Sequence, residues 1–448
     1  MIILSLSPDG LQRHLHTLHQ WCKDNYLVLS APKSAIMIFG PIPRSLPVFH
    51  IDNVPLPFTD TFKYVGIVFK STTRDYFSAH YDRMATLARS SAQALFKLEL
   101  YVGRNRIPPA VARMLYCATV DCHLISGSDV APDVSQTAIQ DLSRVQKRVL
   151  RRILLVSKHT PTAPLFTETG IMPVGPRRVL VLLHALAYYI QQPPTDLLTL
   201  ALKQAHILRL KKKFNYLSDA DYALQTASHS TLSLPSLPHL TPEVIAQLQK
   251  DLKNHVWSYL EQEIQQNRRL YLLHDRLEPL QDGSYKHIRS TLRHYLVQVS
   301  VPAHRRSLTK LLFGESIYYS MSLHGVSDAQ RTCRMCHGHI ETPEHALLQC
   351  WANERVAAIR RTFTSTLGIA QIYHPVLPLS DESAVFWLKK LIFHYDIVPL
   401  TAQFVHNVYR VWSGRQLAAD NEENDGGEDD SEIEDGEMDV NENDDDDI

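Results

Sequence analysis

Three of the chain's six cysteines and a histidine lie within eighteen residues, CRMCHGHIETPEHALLQC (residues 333–350). Their spacing is Cys333-x2-Cys336-x8-His345-x4-Cys350. A Cys-x2-Cys pair turns tightly enough to present both thiolates to one ion, and three thiolates with one imidazole complete a closed tetrahedral set. The spacing therefore predicts a structural Zn²⁺ site. The alternative is a small hairpin in which the cysteines are merely buried.

The residues between these ligands predict how the site folds. Thr342 is a candidate N-cap with Pro343 in the first turn, which places His345 at the start of a helix. Cys350 lies off the face of His345 on an ideal helix, so we expect it at or just beyond the helix end. Asn353 can cap the next helix.

Two other histidines compete as ligands. Replacing His345 by His339 would give Cys-x2-Cys-x2-His, a spacing too tight to close easily. We therefore expect both His337 and His339 at the surface.

The net charge of −1 conceals a separation of charge along the chain. Seventeen of the 47 Asp and Glu residues lie in 420–448, which holds no Lys or Arg. Residues 1–419 therefore carry 46 basic and 30 acidic side chains, an excess that favours a polyanionic partner. The acidic tail is expected to be disordered and could bind a basic protein. Lysines and arginines that merely solvate helix faces are the simpler alternative.

The sequence also predicts the cellular compartment of the protein. No apolar run approaches the roughly 18 residues of a membrane span, so no membrane partner is expected. The opening MIILSL has no basic region before it and is a poor secretion signal. We expect an intracellular protein, nuclear or cytoplasmic and not secreted, whose clustered cysteines bind metal rather than pair as disulfides.

The N-terminal part predicts a small α+β element. Ile2–Leu6 reads as a buried strand, and Leu11–Cys22 has the apolar spacing of a helix. Asp52-Asn53 predicts a hairpin turn between Val48–Ile51 and Val54–Phe58. Phe62–Phe69 is a further strand candidate, in which Gly66 would allow close approach of another backbone.

Beyond residue 75 the periodicity is helical, so the predicted fold is mainly α with the small N-terminal α+β element. The predicted divisions are 1–75 (α+β element with hairpin), 76–225 (helical), 226–242 (Ser/Pro-rich linker), 243–419 (helical, with the Cys/His knuckle) and 420–448 (disordered acidic tail). Asp219-Ala220-Asp221 is the only Asp-x-Asp before the tail and reads as a solvated loop.

One predicted helix carries a dense basic face. Within Gln140–Lys158 the basic residues fall together, opposite a stripe of Leu, Val and Ile. These candidate nucleic-acid contacts are Arg144, Lys147, Arg148, Arg151 and Arg152. A solvated arginine face explains them equally well. Lys203–Lys213 is a second basic run.

Several motifs together resemble the reverse transcriptases of non-LTR, LINE-type retrotransposons. Tyr26–Phe39 followed by Phe62–Phe69 is similar to the end of that family's palm, with Lys33 at its lysine and Tyr64-Val65-Gly66 at its primer-grip hairpin. Glu168–Pro173 resembles an element downstream of the family's thumb. The Cys/His cluster resembles its C-terminal zinc knuckle.

The resemblance implies a palm edge, a thumb-like helical region and a zinc knuckle. In the family an aromatic-Ala-Asp-Asp turn precedes a strand like Ile2–Leu6, and its carboxylates hold Mg²⁺ for nucleotidyl transfer. This sequence starts past that turn, so Mg²⁺ is expected only in a full-length family member. We therefore expect a truncated or degenerate fragment without polymerase activity on its own, although whether it is an enzyme stays open.

Two functions follow. The first is binding of RNA or DNA through the basic helices and the knuckle, with Lys33, Tyr64 and Gly66 as further contacts and Trp351 as a platform for stacking bases. Packing of Trp351 on the zinc site is its alternative role. The second function is a zinc-stapled helical scaffold for protein interactions, with the acidic tail as an additional binding segment.

Overall fold

The chain is mainly helical, with 62% helix and 5% strand, as predicted. The computed structural model describes residues 2–413 except 43, 73–74, 104, 277, 280–284, 287–289, 316–330 and 370–378. The acidic tail predicted at 420–448 lies outside the described residues.

The helices and strands are as follows in chain order. The α-helices are α1 (Pro8–Asp24), α2 (Ser78–Lys97), α3 (Glu99–Val102), α4 (Pro109–Leu115), α5 (Asp121–Ile125), α6 (Gln136–Leu154), α7 (Ala163–Thr169), α8 (Val174–Tyr189), α9 (Leu197–Leu210), α10 (Tyr216–Ser228), α11 (Pro242–Gln266), α12 (His294–Gln298), α13 (Pro302–Leu312), α14 (Glu354–Ile369), α15 (Asp381–Phe393) and α16 (Val398–Trp412). Short 3-10 helices are Ala31–Lys33, Leu237–His239 and Arg268–Leu273, and π-helical turns are Tyr116–Val120 and His345–Gln349. Antiparallel hairpins join β1 (His50–Ile51) to β2 (Val54–Pro55), β3 (Thr61–Tyr64) to β4 (Ile67–Lys70) and β5 (Glu278–Pro279) to β6 (Tyr285–Lys286).

These elements form two units, each discontinuous in sequence. The first unit comprises Met1–Ala92, Cys117–Gln146 and Pro173–Val256. The second comprises Gln93–Tyr116, Lys147–Met172 and Trp257–Ile448. The predicted divisions were contiguous in sequence. Composition changes along the chain do not reveal which distant helices pack together, so the discontinuous units could not be predicted from them.

In the first unit, α1 and the first hairpin build a small core. Ser7 caps α1 by accepting a hydrogen bond from the Gly10 amide, at 3.2 Å. The apolar face of α1 then packs on the hairpin and the extended segments beside it. The buried members of this core are Leu15, Ala31, Ile36, Phe49, Ile51 and Leu56. The predicted helix and hairpin are therefore confirmed here.

The two hairpins of the first unit both turn through residues with positive φ. Asp52 and Asn53 have φ of 51° and 64° and connect β1 to β2, which confirms the predicted hairpin turn. Val65 and Gly66, with φ of 47° and 86°, do the same between β3 and β4. The predicted single strand Phe62–Phe69 is thus two strands with a turn. Space around Gly66 is open, so the turn conformation, rather than close backbone approach, accounts for this glycine.

The prediction of a buried strand at Ile2–Leu6 is wrong. No strand forms there, and Ile2, Leu4 and Leu6 are exposed. Ile3 alone of these residues packs partly on the small core. An extended apolar segment becomes a strand only when another strand supplies hydrogen bonds, and within the described chain none lies beside it.

The Asp219–Asp221 segment is helical rather than a loop. It lies in α10, where Asp221 accepts a hydrogen bond from the Leu234 amide at 2.6 Å and pairs with Arg209 at 3.0 Å. Leu234 and Leu240 are buried. The stretch 226–242, which the sequence suggested as a linker, is therefore packed within the first unit.

Gly170, within the Glu168–Pro173 motif, has a structural role in the second unit. Gly170 ends α7 in the left-handed conformation, at φ 65°. A Cβ at this position would lie 2.5 Å from backbone atoms of Thr291. Only glycine satisfies both the φ angle and this close approach.

Glu168 itself belongs to a buried group of charges in the same unit. Its carboxylate pairs with Arg276 at 3.0 Å and lies 3.7 Å from Arg293. Glu278 lies 3.3 Å from each of the same two arginines. All four side chains are buried, so removing one partner would leave an uncompensated charge.

Among the described residues, no single helix combines the length and apolar character needed to cross a bilayer. The shorter helices α7 and α8 reach those limits only when taken together as a bent pair.

We expect Gly170→Ala to destabilise the second unit by at least about 1–2 kcal/mol, because the left-handed conformation disfavours a side chain and the added Cβ meets the Thr291 backbone. Four of the five tryptophans lie in this unit, so urea unfolding followed by tryptophan fluorescence measures the effect.

Gly175→Ala is the matched control. Gly175 lies within α8, and its added Cβ would meet Ile139 at an ordinary 3.6 Å. Because Gly175 belongs to the first unit and the added Cβ is unstrained, this change should leave the tryptophan-monitored unfolding of the second unit unchanged. Equal effects of the two substitutions would contradict the role assigned to Gly170.

Candidate metal centre

The first half of the Cys/His cluster is a backbone knuckle. The Cys333 amide donates a hydrogen bond to the His339 carbonyl at 2.7 Å, and the His337 amide donates to the Cys333 carbonyl at 2.8 Å. An antiparallel bridge between Thr332 and Ile340 closes the loop. These bonds define the shape of the Cys-x2-Cys turn.

The second half is a helix start followed by a π turn. The Thr342 hydroxyl accepts a hydrogen bond from the His345 amide at 3.2 Å, which confirms Thr342 as the N-cap. The Cys350 amide donates to the His345 carbonyl at 2.7 Å, which closes the wide turn His345–Gln349. Cys350 follows the last residue of this turn, as predicted, and Asn353 caps α14 through the Val356 amide.

Together the two halves bring the four predicted ligands to one point. The Sγ atoms of Cys333 and Cys350 are 3.8 Å apart, and Cys336 Sγ lies 3.4 Å from His345 Nε2. All four ligand atoms lie within 4.8 Å of one another. Metal–sulfur bonds of about 2.3 Å at tetrahedral angles would separate two sulfurs by about 3.8 Å. The residues therefore fit one four-coordinate metal ion.

The pKa shifts of the four side chains also favour a bound cation. Burial raises the pKa of Cys333 to about 12 and raises that of Cys350, so these adjacent thiols resist ionising together. Burial opposes ionisation of Cys336 too, but hydrogen bonds from the Gly338 and His339 backbone outweigh it and lower its pKa. Burial lowers the pKa of His345, which favours the neutral imidazole that a metal needs.

An ion pair between Glu341 and Arg334 supports the knuckle. Glu341 is fully buried and accepts hydrogen bonds from the Arg334 amide at 2.9 Å and from its guanidinium at 2.6–3.1 Å. Arg334 also donates to the Trp412 carbonyl in α16, at 3.4 Å. Burial alone would raise the pKa of Glu341, but its bonds to Arg334 lower it. The knuckle is thereby fixed to the last helix of the described chain.

Arg360 supports the other half. Its buried guanidinium donates to the carbonyls of Leu347 at 2.8 Å, Cys350 at 3.0 Å and Ala346 at 3.2 Å. These carbonyls end the π turn and would otherwise lack intrahelical partners. The guanidinium also lies 4.6 Å from the centroid of the Trp351 ring, which is 45% exposed. Trp351 therefore packs beside the centre and keeps part of its ring at the surface.

His337 and His339 are both exposed, as predicted. The His339 ring lies 5.2 Å from the ring of His345, so it is a neighbour of the centre rather than a member of the ligand set.

The predicted basic face on α6 is only partly available at the surface. Arg144 is exposed and pairs with Asp141, and Arg148 is exposed. Arg152 pairs with Glu99 and packs over the Phe96 ring, with 5.8 Å between guanidinium and ring centroid. Lys147 and Arg151 are half-buried, and burial lowers the pKa of Arg151. Part of this charge therefore stabilises the fold.

The other predicted contacts, Lys33, Tyr64 and Gly66, lie in the first unit. Lys33 is exposed at the end of a 3-10 turn. Tyr64 is half-buried and pairs with Ile67 across the hairpin whose turn contains Gly66. No metal ligand of the Cys/His set belongs to this unit, so these three residues are separate from the metal centre in sequence and in domain.

Two residues that hold the centre, Glu341 and Arg360, are not predicted from the sequence. Arg360 occupies the apolar face of α14 together with Val356, Phe363 and Leu367, all buried. A charged residue at a core position of an otherwise apolar stripe is the signal that could have identified it.

A scan against protein-family models finds no match, and neither a search of curated proteins nor a search of solved structures returns one. The resemblance to non-LTR reverse transcriptases therefore stays a prediction that rests on the sequence motifs.

The metal centre predicts about one metal ion per purified chain. Cys336→Ser should lose that ion and loosen the knuckle, because three ligands and a hydroxyl bind far more weakly than the closed set. Elemental analysis by mass spectrometry, for zinc and the other first-row metals, measures the content.

Cys122→Ser is the control, since Cys122 is an exposed free cysteine outside the cluster. It should keep the full metal content. Equal metal content in the two variants would show that the four side chains do not form the binding site.

Proposed function

We propose that the ion of this centre is Zn²⁺ and that the second unit binds single-stranded nucleic acid beside it. Three sulfurs and one imidazole nitrogen form a soft, closed ligand set, which suits zinc in a structural role. The ion would join the knuckle to the π turn, while Arg334 and Arg360 join both to α14 and α16. Zinc in this role supports a surface and takes no part in a reaction.

Trp351 is the main observation in favour of nucleic-acid binding. It directly follows a metal ligand, its ring is held by the Arg360 guanidinium, and 45% of its surface remains exposed. A fixed aromatic ring with an accessible part is what a nucleic-acid base stacks on. The stacking is tolerant of sequence because every base has a π face.

The same unit supplies exposed groups that suit a phosphate backbone. Arg355 is exposed in the first turn of α14, four residues after the ring. His337 and His339 are exposed on the knuckle. The excess of basic residues over residues 1–419 would add long-range attraction for a polyanion.

The resemblance to non-LTR reverse transcriptases supports the same class of partner, since that family handles RNA templates and DNA primers. Under this proposal the chain is a relative of those enzymes whose described residues bind nucleic acid. The proposal assigns no polymerase activity to them.

A second function is a zinc-stapled scaffold for protein interactions, and the hydrogen bonds that hold the metal centre favour it. The bonds from Arg334 and Arg360 are complete without any nucleic acid, so the centre could serve stability alone. Substitution of the exposed ring separates the two functions, because the scaffold does not require it.

We expect Trp351→Ala to weaken binding of a labelled single-stranded RNA by about 5- to 150-fold, the loss of one stacked base. Fluorescence anisotropy with the full chain measures it, and the wild-type affinity should fall steeply with added salt. A duplex DNA of the same length should bind more weakly, because its bases are already stacked.

Phe386→Ala is the matched control, because Phe386 is a 61%-exposed aromatic residue elsewhere in the same unit. It should leave the affinity within about twofold of wild type. If both substitutions change RNA binding equally, or if the wild-type chain binds no RNA, the scaffold function stands and the nucleic-acid proposal does not.

A further inference from the structure

In the first unit, helix α9 exposes an apolar face that its own fold does not cover. Its outward residues at Leu200, Ile207 and Leu210 are exposed by 48%, 51% and 71% of their surface. Phe214, just past the helix end, is 81% exposed. Several large apolar side chains exposed on and just beyond one helix are typical of an interaction site.

The exposed residues follow a regular spacing. Leu200, Lys203, Ile207 and Leu210 are separated by three, four and three residues, the a and d positions of a heptad. We call these four residues the α9 seam. Because they share one face of a helix, they present a straight apolar line interrupted by one positive charge.

The opposite face of α9 is firmly packed. Leu202 and Ala205 are buried. Arg209, near the C-terminal end, pairs with Asp221 at 3.0 Å and donates to the carbonyl of Leu234 at 3.0 Å. The helix is thus fixed in place with the α9 seam facing outward, which lowers the ordering cost of binding a partner.

Charge around the α9 seam is positive. Lys203 and the three consecutive lysines 211–213 are exposed. At the other end of α9, the Asp196 carboxylate caps the helix by accepting a hydrogen bond from the Leu198 amide at 2.8 Å. Within the described chain, no ion pair joins these four lysines to a carboxylate. The α9 seam of a second copy would bring the same positive charge and would be repelled.

We propose that the α9 seam binds an amphipathic helix of a partner protein that carries acidic residues beside its own apolar seam. Leucine-like side chains of the partner pack between Leu200, Ile207 and Leu210, and its carboxylates face Lys203 and the lysines 211–213. This is recognition of a helix through residues spaced at i, i+3, i+7 and i+10. It is independent of the nucleic-acid site proposed on the second unit.

Two other anionic partners fit the lysines less well. Phosphates of a nucleic acid would use the lysines but leave the aliphatic line of Leu200, Ile207 and Leu210 exposed. A helix lying on an anionic membrane distributes basic residues along its length, whereas three of these four lysines cluster at one end.

The test uses the full chain and two synthetic, fluorescein-labelled peptides of three heptads. Both have leucine at the a and d positions; one has glutamate and the other lysine at the e and g positions, so that each peptide repels itself and stays monomeric. Anisotropy titration should show the glutamate peptide binding at least about tenfold more tightly than the lysine peptide.

Three variants locate the site. Ile207→Glu should weaken the glutamate peptide by at least about tenfold, and the triple change Lys211→Glu, Lys212→Glu, Lys213→Glu should do the same. Lys253→Glu, at an exposed lysine of α11 in the same unit, reproduces a charge change and should stay within about twofold of wild type. All substituted residues are exposed, and thermal melting should confirm unchanged folding.

Equal affinity for the two peptides, or undiminished binding by Ile207→Glu, would overturn the proposal. So would failure of the glutamate peptide to bind while single-stranded RNA, or vesicles containing phosphatidylserine, bind the wild type and lose affinity for the triple-lysine variant.

Discussion

Four soft side chains that converge within 4.8 Å impose the main constraint on the second unit. The two halves of the cluster come from different local structures, a backbone knuckle and a π turn, and each supplies two of the four ligands. Without a cation the buried thiols of Cys333 and Cys350 resist ionisation, and the cluster gains little from their proximity. One metal ion would resolve this, because it would neutralise the thiolates and join both halves.

Two buried charged residues next to the cluster hold its two halves in place. Buried Glu341 holds the knuckle through Arg334, and buried Arg360 holds the carbonyls that end the π turn. The cluster is thereby connected to α14 and α16, which pack in the same unit. Trp351 packs against the same arginine, so one side chain contacts both the π turn and this partly exposed ring.

Local chemistry was predictable from the sequence to the extent that neighbouring residues decide it. The ligand spacing, the cap at Thr342 and the turn at Asp52-Asn53 all depend on residues a few positions apart, and each has the predicted structure. Predictions that needed a distant partner were less successful. Ile2–Leu6 has strand-like residues, but no described strand lies beside it to form hydrogen bonds. Arg152 was predicted to lie on an exposed basic face, and its guanidinium instead pairs with Glu99, fifty-three positions away. Arg360 likewise acts on carbonyls that only the folded chain brings to it.

Zinc K-edge X-ray absorption of the purified full chain tests the metal centre most directly. The account predicts a first coordination shell of three sulfurs at about 2.3 Å and one nitrogen at about 2.0–2.1 Å. A chain purified without metal, or a shell made of oxygen and nitrogen with no sulfur, would contradict it.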